Sequence, residues 1–197
     1  MLVGSRMTCP VISVGMLTEI PAALETIRKN QITFMPVVDR ERHLMGIVSR
    51  EQLEAADENC ENVAAVMTKN CLRVTDKTPI EEAMRILMDY DVQVLPVVQD
   101  DVLVGIFTPE SLGRLMLDLT GSRQSGVRLT VRVADSAAGL GKLMEVISGL
   151  KGNVNSVFSY NCSKEDGLHV TLKVDDVDKF KLKQAIDALD MEVIDIR

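Results

Sequence analysis

The sequence predicts an α+β fold in two parts: a duplicated β-α-β-β-α unit over residues 1–119 and a βαββαβ unit over residues 127–197. Residues 7–38 reappear at residues 67–98, which indicates that one structural unit occurs twice. Short apolar runs typical of strands alternate along the chain with apolar residues at helical spacing. A Gly- and Ser-rich stretch over residues 120–126 is typical of a short linker and separates the two parts.

The two copies align at an offset of 60 residues up to Val38 and of 59 residues after the following turn, because the second copy has one residue fewer in that turn. The matched segments are "MTCPVISV" (7–14) with "MTKNCLRV" (67–74), "PVV" (36–38) with "PVV" (96–98), and "GIVSREQL" (46–53) with "GIFTPESL" (105–112). Duplication explains this order of matches more simply than chance does. A single copy of about 50 residues is small to be stable alone, so we expect the two copies to share one core.

Each copy shows the same order of elements. An extended piece precedes a helix, for which Thr18 and Thr78 are candidate N-caps and Pro79 suits the first helical position. A strand containing proline, a charged turn and a partner strand follow, and a second helix begins after Ser49 or Thr108. In the second copy, the residues that recur at helical spacing on the first helix are Ile80, Ala83, Met84, Leu87 and Met88.

The C-terminal part predicts four strands and two helices. In chain order the segments are a strand at 127–133, a helix within 135–152, strands at 153–160 and 168–174, a helix at 177–189 and a strand at 192–196. The residues expected on the inner helix faces are Leu143, Val146, Ile147, Leu150, Phe180, Leu182, Ala185, Ile186 and Leu189. The order βαββαβ is the ferredoxin-like arrangement, in which both helices cover one face of an antiparallel sheet. The other face needs cover, which predicts a dimer or a contact with the duplicated part.

Composition excludes several functional classes. The net charge of −7 and the pI of about 4.9 disfavour a partner bound through phosphates, so we expect neither nucleic acid nor an anionic membrane surface as a partner. Apolar runs fall short of the ~20 residues that cross a bilayer, and the N-terminal segment lacks the pattern of a signal peptide. We therefore expect a cytoplasmic protein.

Catalytic and metal-binding motifs are not apparent in the sequence. The four cysteines are scattered, without a C-x-x-C pair, and are expected to be reduced and mostly buried, which predicts neither a metal site nor a disulfide framework. His43 lies in a charged turn and His169 in a strand, so each is expected to face solvent or core rather than act as a base. Nucleophile-elbow, Walker and dinucleotide-binding patterns do not occur, and we expect no enzymatic activity and no cofactor.

The segments "MPVVDRERHLMGIVSREQL" (35–53) and "LPVVQDDVLVGIFTPESL" (95–112), with the "MT…V" openings upstream of each, resemble the CBS domain. The pair resembles a CBS tandem, or Bateman module, with motif 1 over residues 1–60 and motif 2 over residues 61–119. The resemblance implies pseudo-twofold symmetry, a homodimer and a regulatory adenosyl ligand, which is AMP, ADP, ATP or S-adenosylmethionine. The residues it implies for ligand binding are Val11, Ile12, Phe34, Met35, Pro36, Ser49, Gln52, Cys71, Val94, Leu95, Pro96, Thr108 and Ser111.

The chemistry of that implied site depends on the two strand-to-helix junctions. Backbone N–H groups at the helix starts after Ser49 and Thr108 attract an anion, and each hydroxyl can donate to a phosphate. The apolar runs "FMP" and "VLP" can sandwich an adenine. A simpler interpretation is that both hydroxyls are only N-caps, since "SREQ" matches a capping box. The family usually has Asp three residues later, where this chain has Gln52 and Ser111, and Gln52 makes the first copy slightly better equipped.

The C-terminal part resembles an ACT domain. Asp135 and Gly139 in the first strand–helix loop and "GNVNSV" (152–157) at the second strand carry the resemblance. It implies that an amino acid binds at a paired interface through Asp135, Gly139, Asn153 and Asn155. The simpler interpretation is that Gly139 meets a packing need and Asp135 starts the helix.

Two functions remain open from the sequence. The first is a small-molecule sensor that acts by allosteric regulation. Binding of an adenosyl ligand, and of an amino acid to the C-terminal part, would change the conformation of the protein or its interaction with an unknown target protein. The alternative is a structural dimerisation or interaction module whose sites bind no ligand.

Overall fold

The computed structural model describes residues 1–57, 59–133, 136–162, 167–189 and 191–197. These residues form two compact units, Met1–Gly113 and Arg114–Arg197. Among the described residues, no helix is both long enough and apolar enough to cross a membrane. All four cysteines are free thiols, but none is buried as expected, since Cys9 is exposed and Cys60, Cys71 and Cys162 are half-buried.

The first unit contains the two copies of the repeat, and each copy forms a three-stranded sheet. In the first copy the elements are β1 (Val14–Gly15), α1 (Ile20–Asn30), β2 (Phe34–Val38), β3 (Leu44–Ser49) and α2 (Arg50–Glu54). In the second copy they are β4 (Val74–Thr75), α3 (Ile80–Asp89), β5 (Leu95–Gln99), β6 (Val102–Phe107) and α4 (Pro109–Leu119), whose last residues belong to the second unit. In both sheets the middle strand pairs in parallel with the short first strand and antiparallel with the third. The structure confirms the duplicated order of elements.

The leading segment of each copy pairs with the other copy. Thr8 forms a bridge with Ile106 at the end of β6, and Thr68 forms the matching bridge with Ile47 of β3. Backbone hydrogen bonds run in both directions across each bridge, from 2.8 to 3.1 Å. The repeat unit in space therefore differs from the repeat unit in sequence, because each copy is completed by a segment of the other.

The two hairpin turns also contact each other. His43 at the end of the first turn forms a bridge with Val102 of the second copy. The Leu44 N–H donates to the Asp101 carbonyl at 3.0 Å, and the Leu103 N–H donates to the Arg42 carbonyl at 3.0 Å. These reciprocal contacts are what an approximate twofold relation between the copies requires.

The cores of the copies lie between each sheet and its helices. In the first copy, Met35, Val37 and Val48 pack with Ala23 and Ile27. In the second copy, fewer residues of α3 are buried than the helical spacing predicts. Ile80, Ala83 and Leu87 are buried, but Met84 is 39% and Met88 78% exposed.

The expected N-caps of α1 and α3 are wrong. The cap residues are Glu19 and Pro79, and neither makes a side-chain cap hydrogen bond. Thr78 instead closes the preceding turn, since its hydroxyl accepts from the Thr75 N–H at 3.0 Å. Pro79 stands one residue before the first helical position.

The second unit is a four-stranded antiparallel sheet with two helices. Its elements are β7 (Val127–Val133), α5 (Ser136–Gly149), β8 (Asn153–Asn161), β9 (Leu168–Asp175), α6 (Lys179–Asp187) and β10 (Glu192–Ile196). The strands lie in the order β10-β7-β9-β8. The chain order is βαββαβ, as the sequence predicts, and the connection between β8 and β9 lies partly outside the described residues.

The core of the second unit lies between this sheet and its two helices. Leu143 and Ile147 of α5 and Leu182 and Ile186 of α6 pack on alternate residues of β7 and β9. Phe180, expected to face inward, is 80% exposed, because it lies about 200° around α6 from the fully buried Leu182 and so on the opposite face of the helix.

The opposite face of this sheet is also largely covered. Thr130, Thr171 and His169 point away from the helices, yet all three are buried. Residues of this same unit lie against part of that face, since a Cβ at Gly121 would be 2.9 Å from Ser156 Oγ and 3.3 Å from Lys173 Cβ. The cover expected from a partner is therefore supplied in part by residues that precede β7.

Candidate functional site

The first strand-to-helix junction is a complete capping box. The Gln52 N–H donates to Ser49 Oγ at 3.1 Å, and the Ser49 N–H donates to Gln52 Oε1 at 2.9 Å. The remaining end of the amide, Gln52 Nε2, donates to Thr68 Oγ1 at 3.0 Å. Gln52 is thus engaged at both ends, so the expected advantage of the first copy in holding a ribose is weakened.

The second junction has the same arrangement with shorter side chains. The Ser111 N–H donates to Thr108 Oγ1, the Thr108 N–H donates to Ser111 Oγ, and the two hydroxyl oxygens are 3.3 Å apart. Ser111 is buried and Thr108 is half-buried. A hydroxyl that accepts from a backbone N–H keeps its own proton to donate, so capping and ligand binding are compatible at Thr108.

The two junctions differ in how well they attract an anion. Helix α2 has only five residues, whereas α4 has 11, so the aligned peptide dipoles are stronger behind Thr108. Hydrogen bonds from its own backbone N–H and from the Ser49 hydroxyl lower the pKa of Glu51, which keeps a carboxylate at the start of α2. Glu51 therefore opposes a phosphate at the first junction.

Apolar residues flank each junction. Phe34 pairs in register with Ser49, which places a half-buried aromatic ring beside the capping box, and Pro36 follows on the same face of β2. Val94 and Pro96 hold the matching places in the second copy. Pro36, Val94 and Pro96 are buried, and Met35 and Leu95, which alternate with them, are fully buried. A ligand can therefore reach these predicted site residues only if they move.

The leading segments, residues 8–13 and 68–73, cross from one copy to the other and are called crossing segments below. They bring residues of one copy to the strand-to-helix junction of the other. Thr68 contacts Gln52, and the chain continues from there through Cys71 and Leu72 to β4. In the first copy the chain runs in the same way from Thr8 through Val11 and Ile12 to β1. Ile12 and Leu72 hold matching positions and are each 39% exposed. Burial raises the pKa of the Cys71 thiol, which therefore stays protonated and unreactive at neutral pH.

Sequence reasoning missed Thr68 and Leu72 as site residues. The signal was present, since Thr68 repeats Thr8 and Leu72 repeats Ile12 in the aligned copies. The pairing across copies was needed to place Thr68 against Gln52.

The amino-acid site implied for the second unit is not assembled within one chain. Gly139 lies beside Val133 at one end of β7, where a Cβ would meet the Val133 side chain. Asn153 and Asn155 lie at the other end with Asp175, which accepts from Asn155 Nδ2 at 2.6 Å. The length of β7 separates the two groups by about 20 Å at roughly 3.3 Å per residue. Asp135 lies outside the described residues.

The CBS domain model matches residues 3–58 and 63–118, which are the two copies described above. The chain belongs to the CBS domain family. Proteins of known function that contain similar stretches include homoserine O-acetyltransferase from Methanobrevibacter ruminantium, 32% identical over 117 residues. Inosine-5'-monophosphate dehydrogenase from Methanocaldococcus jannaschii is 25% identical over 185 residues. These alignments cover 58% and 93% of this chain but only 24% and 36% of the two enzymes.

Solved CBS pairs have the same fold as the first unit. CBSX2 from Arabidopsis thaliana, in complex with AMP, is 33% identical with a TM-score of 0.56, covering 59% of this chain and 96% of that one. A Vibrio cholerae protein described as an acetoin utilization protein (AcuB) is 26% identical with a TM-score of 0.58, covering 63% and 96%. The CBS pair of protein MJ0100, in complex with 5'-methylthioadenosine and S-adenosyl-L-methionine, is 26% identical with a TM-score of 0.55, covering 63% and 98%. CBS pairs of this kind are regulatory modules.

The turn between β2 and β3 of this CBS pair carries an Asp–His ion pair. His43 Nδ1 is 2.9 Å from Asp39 Oδ2, and the His43 N–H donates to Asp39 Oδ1 at 2.8 Å. The hydrogen bond and the charge of Asp39 raise the pKa of His43 above 6.5, with smaller contributions from the Glu41 and Asp101 carboxylates. His43 in turn lowers the pKa of Asp39.

The Asp39–His43 ion pair predicts that the free energy of unfolding falls as the pH rises above about 6.5. A raised folded-state pKa means that the His43 contribution is complete below about pH 6.5 and disappears as the pH rises through the folded-state value. The Asp39 contribution is lost only in acid, as the pH falls through its lowered value. Urea unfolding between pH 5.5 and 8.5 should therefore show a fall for the wild-type chain that His43→Gln lacks. Equal slopes for the two proteins would contradict the assignment.

Proposed function

We propose that this CBS pair is a regulatory sensor of an adenosyl ligand: AMP, ADP, ATP or S-adenosylmethionine. The observation that carries the proposal is the matching pair of strand-to-helix junctions, each with a hydroxyl at the helix start and a crossing segment from the other copy. CBS pairs that are 33% and 26% identical to this chain were crystallised with AMP and with 5'-methylthioadenosine and S-adenosyl-L-methionine, which supports the ligand class.

The crossing segments give the proposal a means of regulation. A ligand beside Ser49 meets Phe34 of the first copy and Thr68 of the second at the same time. We call the space beside each junction, between the strand of one copy and the crossing segment of the other, a cleft. The ligand therefore binds best to the arrangement of copies in which both sides of its cleft contact it. Any ligand with such differential affinity shifts the population of arrangements, and a partner protein can sense that shift.

Charge supports a preference among the adenosyl ligands. The Glu51 carboxylate holds the helix start at the first cleft, and Glu110 has the matching position in the second. A phosphate would meet repulsion there, whereas a neutral thioether or a cationic sulfonium would not. We therefore expect S-adenosylmethionine or 5'-methylthioadenosine to bind the first cleft better than ATP. Glu110 repels a phosphate at the second cleft as well, but the 11-residue helix α4 has a stronger dipole than the five-residue α2, so the second cleft is the better candidate of the two for AMP.

For the second unit we propose an ACT-like role in a homodimer. Gly139 and Asn153 lie at opposite ends of the sheet, so one copy of the chain does not bring the implied residues together. Two copies that pair end against end would bring the Gly139 end of one beside the Asn153 end of the other. An amino acid bound there would then depend on dimerisation.

A structural module without a ligand remains the second candidate. The polar side chains at each junction already form hydrogen bonds within the protein, so the fold does not need a ligand to supply their partners. Exposed Met88 and Tyr90 at the end of α3 offer apolar surface to a second chain. This candidate predicts dimerisation without any ligand dependence.

A binding panel separates the two candidates. Thermal unfolding with AMP, ATP, S-adenosylmethionine and 5'-methylthioadenosine should show stabilisation by at least one compound, about 2.7 kcal/mol at 100 times its Kd. Ser49→Ala and Thr108→Ala should each lower the affinity of their own cleft by about fivefold, since a hydrogen bond to the ligand contributes about 1 kcal/mol.

The matched control is Thr26→Ala, which removes a hydroxyl bonded to the Ala22 carbonyl within α1. Its ligand affinity should equal that of the wild-type chain. A chain that none of the four compounds stabilises would favour the structural module.

A further inference from the structure

The turn between β2 and β3 brings together three potential metal ligands. Asp39, Glu41 and His43 each offer one donor atom, and these atoms all lie within 4.8 Å of one another. Asp39 and His43 are half-buried, and Glu41 is exposed. The distances are short enough that small side-chain rotations bring one imidazole nitrogen and two carboxylate oxygens around a single ion.

The backbone holds these donors in place. The Asp39 N–H donates to the His43 carbonyl at 3.1 Å, and the Arg42 N–H donates to the Asp39 carbonyl at 3.2 Å. A hydrogen bond from the second copy also holds the turn in place, since the Leu44 N–H donates to the Asp101 carbonyl at 3.0 Å. The backbone that carries the three donors is therefore already ordered, so binding an ion costs only the side-chain freedom that remains.

The duplicated copy shows that the turn does not need this cluster to fold. Gln99 stands where the first copy has Asp39, and Val102 stands where it has His43. The second copy still forms the β5–β6 hairpin and the same contact with its neighbour. The three donors are therefore a specific addition to one copy, and the requirements of the fold do not explain them.

A cavity adjoins the cluster. Asp39 and Glu41 form part of the wall of a cavity of about 700 Å³, which Val14, Met16 and Leu17 line on another side. An ion held by three protein ligands keeps at least one coordination position open. That position would be available to water or to a small anionic ligand in the cavity.

We propose that Asp39, Glu41 and His43 form a binding site for a divalent first-row transition cation of the Zn²⁺ class. One imidazole with two carboxylates is a donor set that suits such ions and suits the hard cations Mg²⁺ and Ca²⁺ less well. Binding exchanges the Asp39–His43 hydrogen bond for bonds from both groups to the ion, and the imidazole nitrogen that binds releases its proton. Arg40 and Arg42 are exposed, and solvent and salt weaken their repulsion of the ion.

Zinc titration of the full chain tests the site directly, with calorimetry for stoichiometry and nuclear magnetic resonance of the imidazole rings for location. The chain has two histidines, and His169 is buried in the second unit, so it serves as an internal reference. We expect one Zn²⁺ per chain, with shifted ring signals for His43 and unchanged ones for His169. Glu41→Gln should weaken binding by at least about tenfold, since even the loss of a side chain that only orients a metal ligand costs that much.

His43→Val and Asp39→Gln should abolish binding, and both introduce residues that the second copy already accepts at these positions. The matched control is Asp100→Asn, which removes a carboxylate from the other turn and should leave the zinc affinity unchanged. Zinc binding that persists in His43→Val, or a Co²⁺ spectrum with thiolate bands, would place the ion at the cysteines and overturn the proposal. Unchanged His43 signals at saturating zinc would also overturn it.

Discussion

Replacing Gly46 with alanine is expected to lower the free energy of unfolding of the first unit by about 2–3 kcal/mol. A Cβ at this position would lie 2.5 Å from the Thr68 carbonyl oxygen and 3.2 Å from Lys69 Cα. Both atoms belong to the backbone of the crossing segment, which cannot rotate away from a methyl group. The segment must move as a whole, and that movement breaks its two hydrogen bonds with Ile47. Urea unfolding followed by circular dichroism measures the loss.

The duplicated copy provides the control for this substitution. Gly105 is the counterpart of Gly46, but a Cβ there would meet only side-chain atoms of the flexible Met7, namely its Sδ, Cγ and Cβ. Met7 can turn aside, so Gly105→Ala should destabilise the unit by less than about 1 kcal/mol. Equal losses for the two variants would mean that the crossing segment is not held tightly against Gly46. Such a result would also weaken the argument that each cleft is built from both copies.

Replacing Leu172 with alanine is expected to destabilise the second unit by about 2–5 kcal/mol. Leu172 lies in the middle of β9, is fully buried and packs in the cluster with Leu143, Ile147 and Leu182. Removing its side chain leaves a cavity that the flanking strands and helices cannot fill by collapsing. Unfolding in urea, followed by tyrosine fluorescence in a Tyr90→Phe background that leaves Tyr160 as the one tyrosine, measures the effect.

Val157 is the matched control for Leu172. The two residues pair directly across β8 and β9, but Val157 is 45% exposed. Val157→Ala should change the free energy of unfolding by no more than about 0.5 kcal/mol, as is usual at the surface. If both variants lose similar stability, the second unit has a core different from the one described.

The repeat allowed most of the fold to be predicted, because one register fixed the order of the elements in both copies. Details that depend on neighbours were missed. Helical spacing placed Met84 and Met88 on the inner face of α3, but only Ile80, Ala83 and Leu87 are buried there. Periodicity reports which residues share a face, and the width of the covered stripe depends on what packs against it.

The candidate site was predictable in part for the same reason. Ser49 and Thr108 stand out as hydroxyls at the end of a strand, and both cap a helix. The exchange of leading segments was not predictable, because a pairing between Thr68 and Ile47 leaves no local pattern in either segment. The Asp39, Glu41 and His43 cluster was also missed, since a charged turn has the same composition whether its side chains point together or apart.

The exchange of leading segments also affects how the protein is made. Thr8 precedes the whole of both helices and sheets of the repeat in the order of synthesis, yet its strand partner, Ile106, lies near the end of the second copy and is translated only after the first copy is complete. Neither half can finish folding while the other is unfinished, and such distant pairing slows the search for the native state. Mutations that delay the later half should therefore expose the earlier half to aggregation, although they alter none of its own residues.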